Sequence, residues 1–483
     1  MRNADPSIQR LVPSWPPIAI LGVPFDNVTA SEAVAGIEQM VASRRPHYLV
    51  TANVDFLVQA QTDVELRRIL MEAHMVLCDG TPLVWASRIL GNRLPERVAG
   101  SDLVPILLRV AAQKGYRVFL LGATPEAVEE AAKRIQRDHP SLRLAGHYSP
   151  PFKMLLRMDH EEIKRRIHEA QPDLLFVAFG CPKAEKWISM HYRDLAVPVV
   201  IGVGATIDFL AGRVKRAPRW MQHGGLEWVY RMACEPRRLF KRYMKDLWVF
   251  GRRMAWQWWV LECRPWLLRQ RSKKRTGRWW DVTHNVGRHC IMDLTGLSFV
   301  DSTDVGLLLK LQKKLHEDGR HFILVSVSPG VQRALESLRL KDHFDLAADK
   351  DGALRLIEER TSEQSALVAF CGAGDRHGLK WCGEITAANA GQFLHDTKEM
   401  MSRSAKHVPV EIDLSGARFI DSSGLTVMLR TQQWAWRQGT KLVFTGAQAP
   451  LRKVLRQATL EQLLLEKPEL NGLTADFLSA SQV

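Results

Sequence analysis

Six apolar runs in the first 245 residues, IAILG, HYLVTAN, MVLCDG, RVFLLG, DLLFVAFG and VPVVIGVG, are the length of strands. Small and polar residues suited to holding a ligand stand at or just past several of their ends: Thr51 and Asn53, Asp79 and Gly80, Gly122 to Thr124, Gly180 to Lys183, and Gly202 to Asp208. Asp79, in the CDG turn, is a carboxylate able to take a proton; it reads equally as an Asx turn or helix N-cap for TPLVWASR. FLLGATPEAV sets a glycine turn ahead of a helix start, which is a seat for phosphate or an ordinary helix N-terminus. The string HEEIK at His160 lacks the second histidine of a zinc-protease motif and reads as a solvated helix face.

Helix-length segments such as SEAVAGIEQMVAS and PEAVEEAAKRIQRDHP follow these runs. Strand and helix alternating in this way predict an α/β fold with a largely parallel, Rossmann-like sheet, whose ligands bind beyond the carboxyl ends of the strands. A chain of 483 residues, 46% hydrophobic, has room for two to four domains. Seven cysteines without a CxxC pair or zinc spacing fit a reducing compartment and no structural metal. The start carries no apolar run suited to a signal peptide, and no stretch is apolar enough to span a bilayer, so a cytoplasmic location is expected.

Read in order, TANVDFLVQA, CDGTPLVWASR, RVAGSDL, FGCPKAEKW, GVGATIDFLAGRVKRAPRWM and GLEWVYRMACEPRRLFKRY closely resemble the WecG/TagA/CpsF family of glycosyltransferases over residues 18 to 245. The resemblance implies inverting transfer of a hexose, of N-acetylmannosamine type, its uronic acid or glucose, in surface polysaccharide synthesis. The donor would be a UDP-sugar and the acceptor a polyprenyl-diphosphate-linked glycan. It assigns Asp79 as the base, with Thr51 and Asn53 as a hydrogen-bonding pair for donor or acceptor, and Asp208 as a nucleoside contact. Such a transfer also needs positive charge for the leaving diphosphate. No Asp-x-Asp occurs before residue 250, so neither metal nor cofactor is expected, and Arg97, Arg216, Arg231 and Arg238 are the candidate cations. Gly122, Gly180, Pro182, Lys183, Glu185 and Gly204 complete the expected substrate-binding set. Where the family usually reads GxPKQExW this chain reads GCPKAEKW, so Ala184 removes an amide that would reach a sugar hydroxyl, and the identity of the sugar is open.

Charge is concentrated in one region. Fifteen Lys and Arg against Glu235, Asp246 and Glu262 between Arg231 and Trp280 give 15 − 3 = +12 of the formal +15. Trp256, Trp258, Trp259, Trp266, Trp279 and Trp280 stand in the same stretch. On a helix Leu247, Phe250, Met254, Trp258 and Leu261 share a face. An apolar face, arginines and tryptophans predict a helix lying in the interface of an anionic membrane, with RQRSKKR adding attraction; the alternative is a helix buried against the rest of the protein. The acceptor lipid lives there too, so a peripheral place on the inner face of the cell membrane is expected, and nucleic acid is not.

Beyond residue 285 an internal repeat appears. IMDLTGLSFVDSTDVGLLLKLQKKLHEDGRHFILVSV from Ile291 aligns without gaps with EIDLSGARFIDSSGLTVMLRTQQWAWRQGTKLVFTGA from Glu411, an offset of 120 residues. Strand, Asp-Ser turn, amphipathic helix, Gly, strand and helix follow one another in both, a pattern that resembles the small α/β STAS domain of anti-sigma-factor antagonists. The resemblance implies phosphorylation of the serine after the Asp by a partner kinase. Ser302 and Ser422 hold that position, each also a candidate helix N-cap. The first copy reads DSTDV, with Asp304 adding negative charge, so Ser422 is the better phosphosite and the first copy a degenerate docking module. The expected division is a transferase domain over 1–245, a membrane-interface segment over 246–284, and STAS-like domains over 285–362 and 363–483. A kinase or regulator is the expected protein partner, and the repeats also offer surfaces for a homo-oligomer. The rival reading is a signalling scaffold that senses a UDP-sugar without turning it over.

Overall fold

The computed structural model describes residues 16–464, apart from 215–216, 219–220, 222–226, 235, 265–282, 287–288, 365–367, 372–377, 403–409 and 459. Contacts divide the chain into two units, Met1–Ile357 and Glu358–Val483. The chain is α/β in both.

The first unit is built on a six-stranded sheet, all of whose pairings are parallel. Its strands are β3 (His47–Ala52), β4 (Met75–Cys78), β5 (Arg117–Gly122), β6 (Arg143–Tyr148), β7 (Leu174–Ala178) and β8 (Val199–Gly202), in the order β4-β3-β8-β7-β5-β6. Five of the six apolar runs supply β3, β4, β5, β7 and β8. The sixth, IAILG, does not join them: β1 (Ile18–Ile20) pairs antiparallel with β2 (Val23–Phe25) in a separate hairpin. The edge strand β6 escaped the apolar pattern because it is half-exposed, and RLAGHY carries little hydrophobic signal.

Helices cover both faces of the sheet, as strands buried on two sides require. On one face Leu83, Val84, Ile163, Ile167, Trp187 and Ile188 pack against Val50, Leu121, Leu175 and Val200. On the other, Ile37, Leu103, Leu107, Val128 and Ile135 pack against Leu49, Leu77, Leu120, Phe176 and Ile201. The helices carry local start signals. In α1 (Ala30–Ser43) Thr29 and Glu32 form a capping box, and Asn53 and Asp63 cap α2 (Val54–Ala60) and α3 (Val64–Glu72). Next come α4 (Thr81–Ile89) after β4, α5 (Gly100–Lys114) directly after α4, α6 (Pro125–Asp138) after β5 and α7 (His160–Ala170) after β6. Beyond β7 and β8 come α8 (Lys183–Leu195) and α9 (Thr206–Leu210). Two further helices, α10 (Glu227–Cys234) and α11 (Pro236–Trp258), carry the chain through a π-turn at Trp259–Cys263.

The first repeat follows in the same unit: β9 (Thr283–Val286), β10 (His289–Asp293), α12 (Ser302–Glu317), β11 (Phe322–Val325), α13 (Pro329–Ser337), β12 (Asp345–Ala347) and the start of α14 (Lys350–Gln364). The second unit repeats the theme with an addition: β13 (Val368–Cys371), β14 (Gly378–Ile385), α15 (Ala390–Ser402), β15 (Val410–Ile420), α16 (Ser422–Arg437), β16 (Leu442–Thr445) and α17 (Ala449–Gln457). Trp381, Phe393 and Phe444 meet edge to face at its centre, with ring centroids 5.7 and 5.6 Å apart. In neither repeat is the serine the helix cap. Asp301 and Asp421 cap α12 and α16, and Ser302 and Ser422 fall one position inside, both buried. Asp301 is held in turn: its backbone N–H donates to Asp304 Oδ2 at 3.0 Å, so Asp304 completes a capping box.

Candidate functional site

The predicted residues that follow the strands and are described gather at the carboxyl edge of the six-stranded sheet, because parallel strands deliver all their following loops to one side. Thr51, near the end of β3, is buried and donates to the Gly202 carbonyl of β8 at 3.3 Å, joining two strand ends. A Cβ on Gly100 would lie 3.2 Å from Thr51 Oγ1 and 3.7 Å from Thr206 Oγ1, so α5 starts in close contact with both hydroxyls. Asn53 spends its side-chain oxygen on the Phe56 N–H as the α2 cap. Asp79 leads out of β4, its N–H bonded to the Ala52 carbonyl at 2.9 Å. Gly80, not Asp79, occupies the cap position of α4, and no side chain caps that helix. The N-cap reading of Asp79 is therefore set aside.

Arg97 is drawn in beside Asp79, since Val98 N–H donates to the Cys78 carbonyl at 2.8 Å. Its guanidinium grips Asp102 at 2.6 Å and Glu227 at 2.8 Å. Burial works against the charge, yet Asp102, Glu227 and Asp79 outweigh it and hold the guanidinium pKa above its ordinary value. Neither carboxylate was singled out from the sequence, although Asp102 lies in RVAGSDL and Glu227 in GLEWVYR. Glu227 stands in the first turn of α10, so the clamp ties the helical tail to the sheet edge. Arg216 falls outside the described residues; Arg231 and Arg238 lie on α10 and α11 with side chains outside the description.

The loop after β7 forms a second group. Gly180 has a left-handed φ of +78° with open space around its α-carbon, and Pro182 precedes α8. Lys183 donates to the Lys153 carbonyl at 2.6 Å and sits over the rings of Phe152 and Phe179 at 5.0 and 5.4 Å. Burial lowers its pKa. Ala184 and Glu185 point inward. Ala184 belongs to the apolar core and is 1% exposed, so position 184 packs against the sheet instead of facing an open site. Burial pushes the Glu185 carboxyl up to about 7. Its Oε1 lies where a Cβ on Gly202 would be 2.8 Å away, beneath the strand end that Thr51 also touches.

A third group closes the edge near β5. Gly122, at φ +99°, approaches so near β7 that a Cβ would lie 2.6 Å from the Ala178 carbonyl oxygen, which gives it a backbone reason to be glycine. Thr124 caps α6 by accepting from Ala127 N–H, so Gly-Ala-Thr-Pro is an ordinary capped helix start. Arg213 reaches Thr124 Oγ1 at 3.4 Å, and its N–H bonds the Asp208 carbonyl. Burial raises the Asp208 carboxyl, partly offset by Arg213. Gly204, at φ +52°, has open space around it.

The helix α11 has two apolar faces. Leu239, Asp246, Phe250, Met254 and Gln257 are buried, as is Leu261 in the π-turn. Phe240, Met244, Leu247, Trp248 and Trp258, spaced i, i+4, i+7, i+8 and i+18, are exposed on another side, with Lys241, Lys245 and Arg252 next to them. The expected single face is thus divided: Phe250, Met254 and Leu261 face the core, whereas Leu247 and Trp258 face outward. Arg252 covers the Trp248 ring at 5.0 Å. Trp266, Trp279, Trp280 and the RQRSKKR run lie outside the described residues. No helix among the described residues is long and apolar enough to cross a membrane.

Comparison with known proteins matches residues 18–264 to the glycosyl transferase WecG/TagA/CpsF family, residues 262–353 to the STAS domain, and residues 370–466 to the Mlab, STAS domain. An N-acetylglucosaminyldiphosphoundecaprenol N-acetyl-beta-D-mannosaminyltransferase of Staphylococcus aureus (strain NCTC 8325 / PS 47) is 32% identical over 240 residues, covering 49% of this chain and 92% of that protein. The same holds for the protein of that name from strain MRSA252. Among solved structures, the murine Slc26a9 anion transporter in the inward-facing state aligns at a TM-score of 0.21 with 8% identity over 95% of this chain and 79% of its own, too little to bear on the fold.

Proposed function

The chain belongs to the WecG/TagA/CpsF family of glycosyl transferases and carries two STAS domains after that region, and from this premise we propose that it transfers a hexosyl residue from a UDP-sugar to a polyprenyl-diphosphate-linked glycan with inversion. Asp79 takes the proton from the acceptor hydroxyl as that oxygen bonds to the anomeric carbon, and the bond to the UDP oxygen breaks with its electron pair leaving on the diphosphate. Arg97, fixed by Asp102 and Glu227, holds positive charge beside Asp79 and joins the tail helix to the reaction edge. Thr51 and Asn53 line the approach, and Asp208 lies toward the nucleoside end. Gly122, Gly180, Pro182, Lys183, Glu185 and Gly204 shape the loops around the donor, and Arg216, Arg231 and Arg238 meet the diphosphate. The observation that carries the reading is the convergence of Asp79 and the clamped Arg97 at the sheet's carboxyl edge. The mannosaminyltransferases of Staphylococcus aureus support an N-acetylmannosamine-type sugar and a lipid-linked acceptor.

The exposed apolar stripe of α11 with its basic neighbours supports a peripheral seat on an anionic membrane, where such an acceptor resides. Regulation by a protein partner is assigned to the second repeat through Ser422. The decisive assay mixes the protein, a panel of UDP-sugars and a polyprenyl-diphosphate sugar in lipid with EDTA, and follows UDP and labelled glycolipid. Transfer that persists in EDTA and vanishes in Asp79→Asn is the expected result. UDP-sugar binding without transfer to any acceptor would refute it in favour of a sensing scaffold.

A further inference from the structure

The two repeats differ in what covers the helix after their Asp-Ser turn. In the second, β14 runs parallel to β15 as far as Ile385, and α15 then packs against α16. The first repeat has no such strand and helix among its described residues: β9 instead makes a short antiparallel pair with β10. The corresponding helix, α12, is not left bare. The hairpin β1–β2 of the N-terminal domain lies on it, with α3 alongside. Ala19 and Met71 share one apolar core with Leu294, Val305, Leu308 and Leu309.

A trade of glycines marks the difference in the sequence itself. At the offset of 120 residues, Gly306 aligns with Thr426, and Asp304 with Gly424. A Cβ on Gly306 would lie 2.5 Å from the Pro17 carbonyl oxygen and 3.3 Å from the Ala19 nitrogen. A Cβ on Gly424 would lie 2.7 Å from the Ile385 carbonyl oxygen. Each helix has its glycine where the backbone of its own cover touches it: β1 in the first repeat and β14 in the second. A threonine at 306 could not admit β1, nor could an aspartate at 424 admit β14.

Polar groups ring the first contact. Lys310 pairs with Asp26 at 2.9 Å, Lys313 donates to the Ala73 carbonyl at 2.9 Å, and Arg67 donates to the Arg339 carbonyl at 3.2 Å. At its middle Gln257 of α11, 1% exposed, accepts from Leu21 N–H at 2.8 Å and donates to the Ala19 carbonyl at 2.7 Å and to Ser302 Oγ at 3.1 Å. One buried amide thus joins the hairpin, the tail helix and the start of α12.

We propose that the β1–β2 hairpin of the N-terminal domain, Ile18–Phe25, is a dedicated cover for the Gly306 side of α12, the side that stays open in the second repeat, where Arg430 and Gln433 are exposed, so that the first repeat is completed in cis and latched through Gln257. The surface headed by Ser302 is consumed by the chain's own N-terminal domain. The first repeat is a fixed part of the first unit, and the corresponding surface of the second repeat is the one left for a protein partner. This inference stands on packing and does not depend on the transfer reaction.

Hydrogen exchange with mass spectrometry on the full chain tests it, using Gly306→Thr, which installs the residue of the second repeat. Peptides over 18–25 and 302–317 should both exchange about tenfold faster, while those over 117–122 and 174–178 keep their protection. The reciprocal Thr426→Gly should leave 18–25 untouched. Faster exchange in 302–317 alone, or in neither segment, would overturn the proposal. If Gly306→Thr loses protection throughout the sheet, Lys310→Ala decides: it should quicken both segments about threefold, and an unaltered 18–25 would refute completion in cis.

Discussion

Trp248→Ser removes the most exposed large side chain of the α11 stripe, where Trp248 is 65%, Leu247 59% and Phe240 54% exposed. A tryptophan presents ~150–250 Å² when fully uncovered, so at this exposure ~100–160 Å² is available to lipid. At about 25 cal/mol/Å² full insertion would contribute roughly 2.5–4 kcal/mol, and a helix sunk halfway into the interface would gain roughly 1–2 kcal/mol. Binding to anionic vesicles should therefore weaken roughly five- to thirtyfold. The unfolding temperature should hold, since Trp248 is mostly exposed and its ring contact is with Arg252, itself at the surface. Salt should reduce binding further, because Lys241, Lys245 and Arg252 border the stripe and act through screened attraction. Co-sedimentation with anionic and with neutral vesicles reads both effects. Trp436→Ser in the second unit is the control, since that side chain is 61% exposed but lies on no such stripe. Unchanged vesicle binding in Trp248→Ser, or an equal loss in Trp436→Ser, would refute the assignment of this face.

Asp79→Asn should cut transfer at least about a hundredfold with an unchanged thermal midpoint, measured by UDP release; turnover within a few fold of wild type would remove Asp79 as the base. Burial raises the Glu185 carboxyl from its ordinary 4.5 to about 7, so its buried charge destabilises the fold progressively as pH rises from 4.5 through 7 and in full above that. Glu185→Gln should consequently stabilise the protein at pH 8, by up to about 3 kcal/mol, and do little near pH 4, as denaturant titrations at the two pH values would show. Burial, then Asp55, raises Asp246 from 3.8 to about 6 with the same sign, so Asp246→Asn should stabilise above pH 6, by about 1 kcal/mol after allowance for solvent screening. Ser302→Asp should lower the unfolding temperature of the first unit, because it forces a carboxylate into the fully buried contact with Gln257. Ser422→Asp should leave that transition in place and alter activity or partner capture; the reverse pattern would exchange the roles of the two repeats.

Much of this molecule is legible in one dimension. Parallel strands are buried on both faces, so five of the sheet strands appear as continuous apolar runs, and their following loops identify the edge where Thr51, Asp79 and Lys183 emerge. Repetition at 120 residues exposes the paired domains, because each carries the same strand, turn and helix pattern. Tertiary structure decides what periodicity cannot encode. IAILG looks like any other strand, yet it leaves the sheet to cover α12, a choice made by the packing of Ala19 and by the space at Gly306. Position 184 faces the core and the α11 face divides in two, since burial depends on which neighbours arrive from elsewhere in the chain. Arg97 meets Asp102 and Glu227, and Gln257 meets Ser302, across separations of 5, 130 and 45 residues. Sequence determines the alternation of elements and the chemistry each strand end carries, because those depend on local hydrophobic spacing. Which carboxylate faces which cation, and which serine meets the buried amide of Gln257, depends on the folded chain bringing distant segments into one low-dielectric contact.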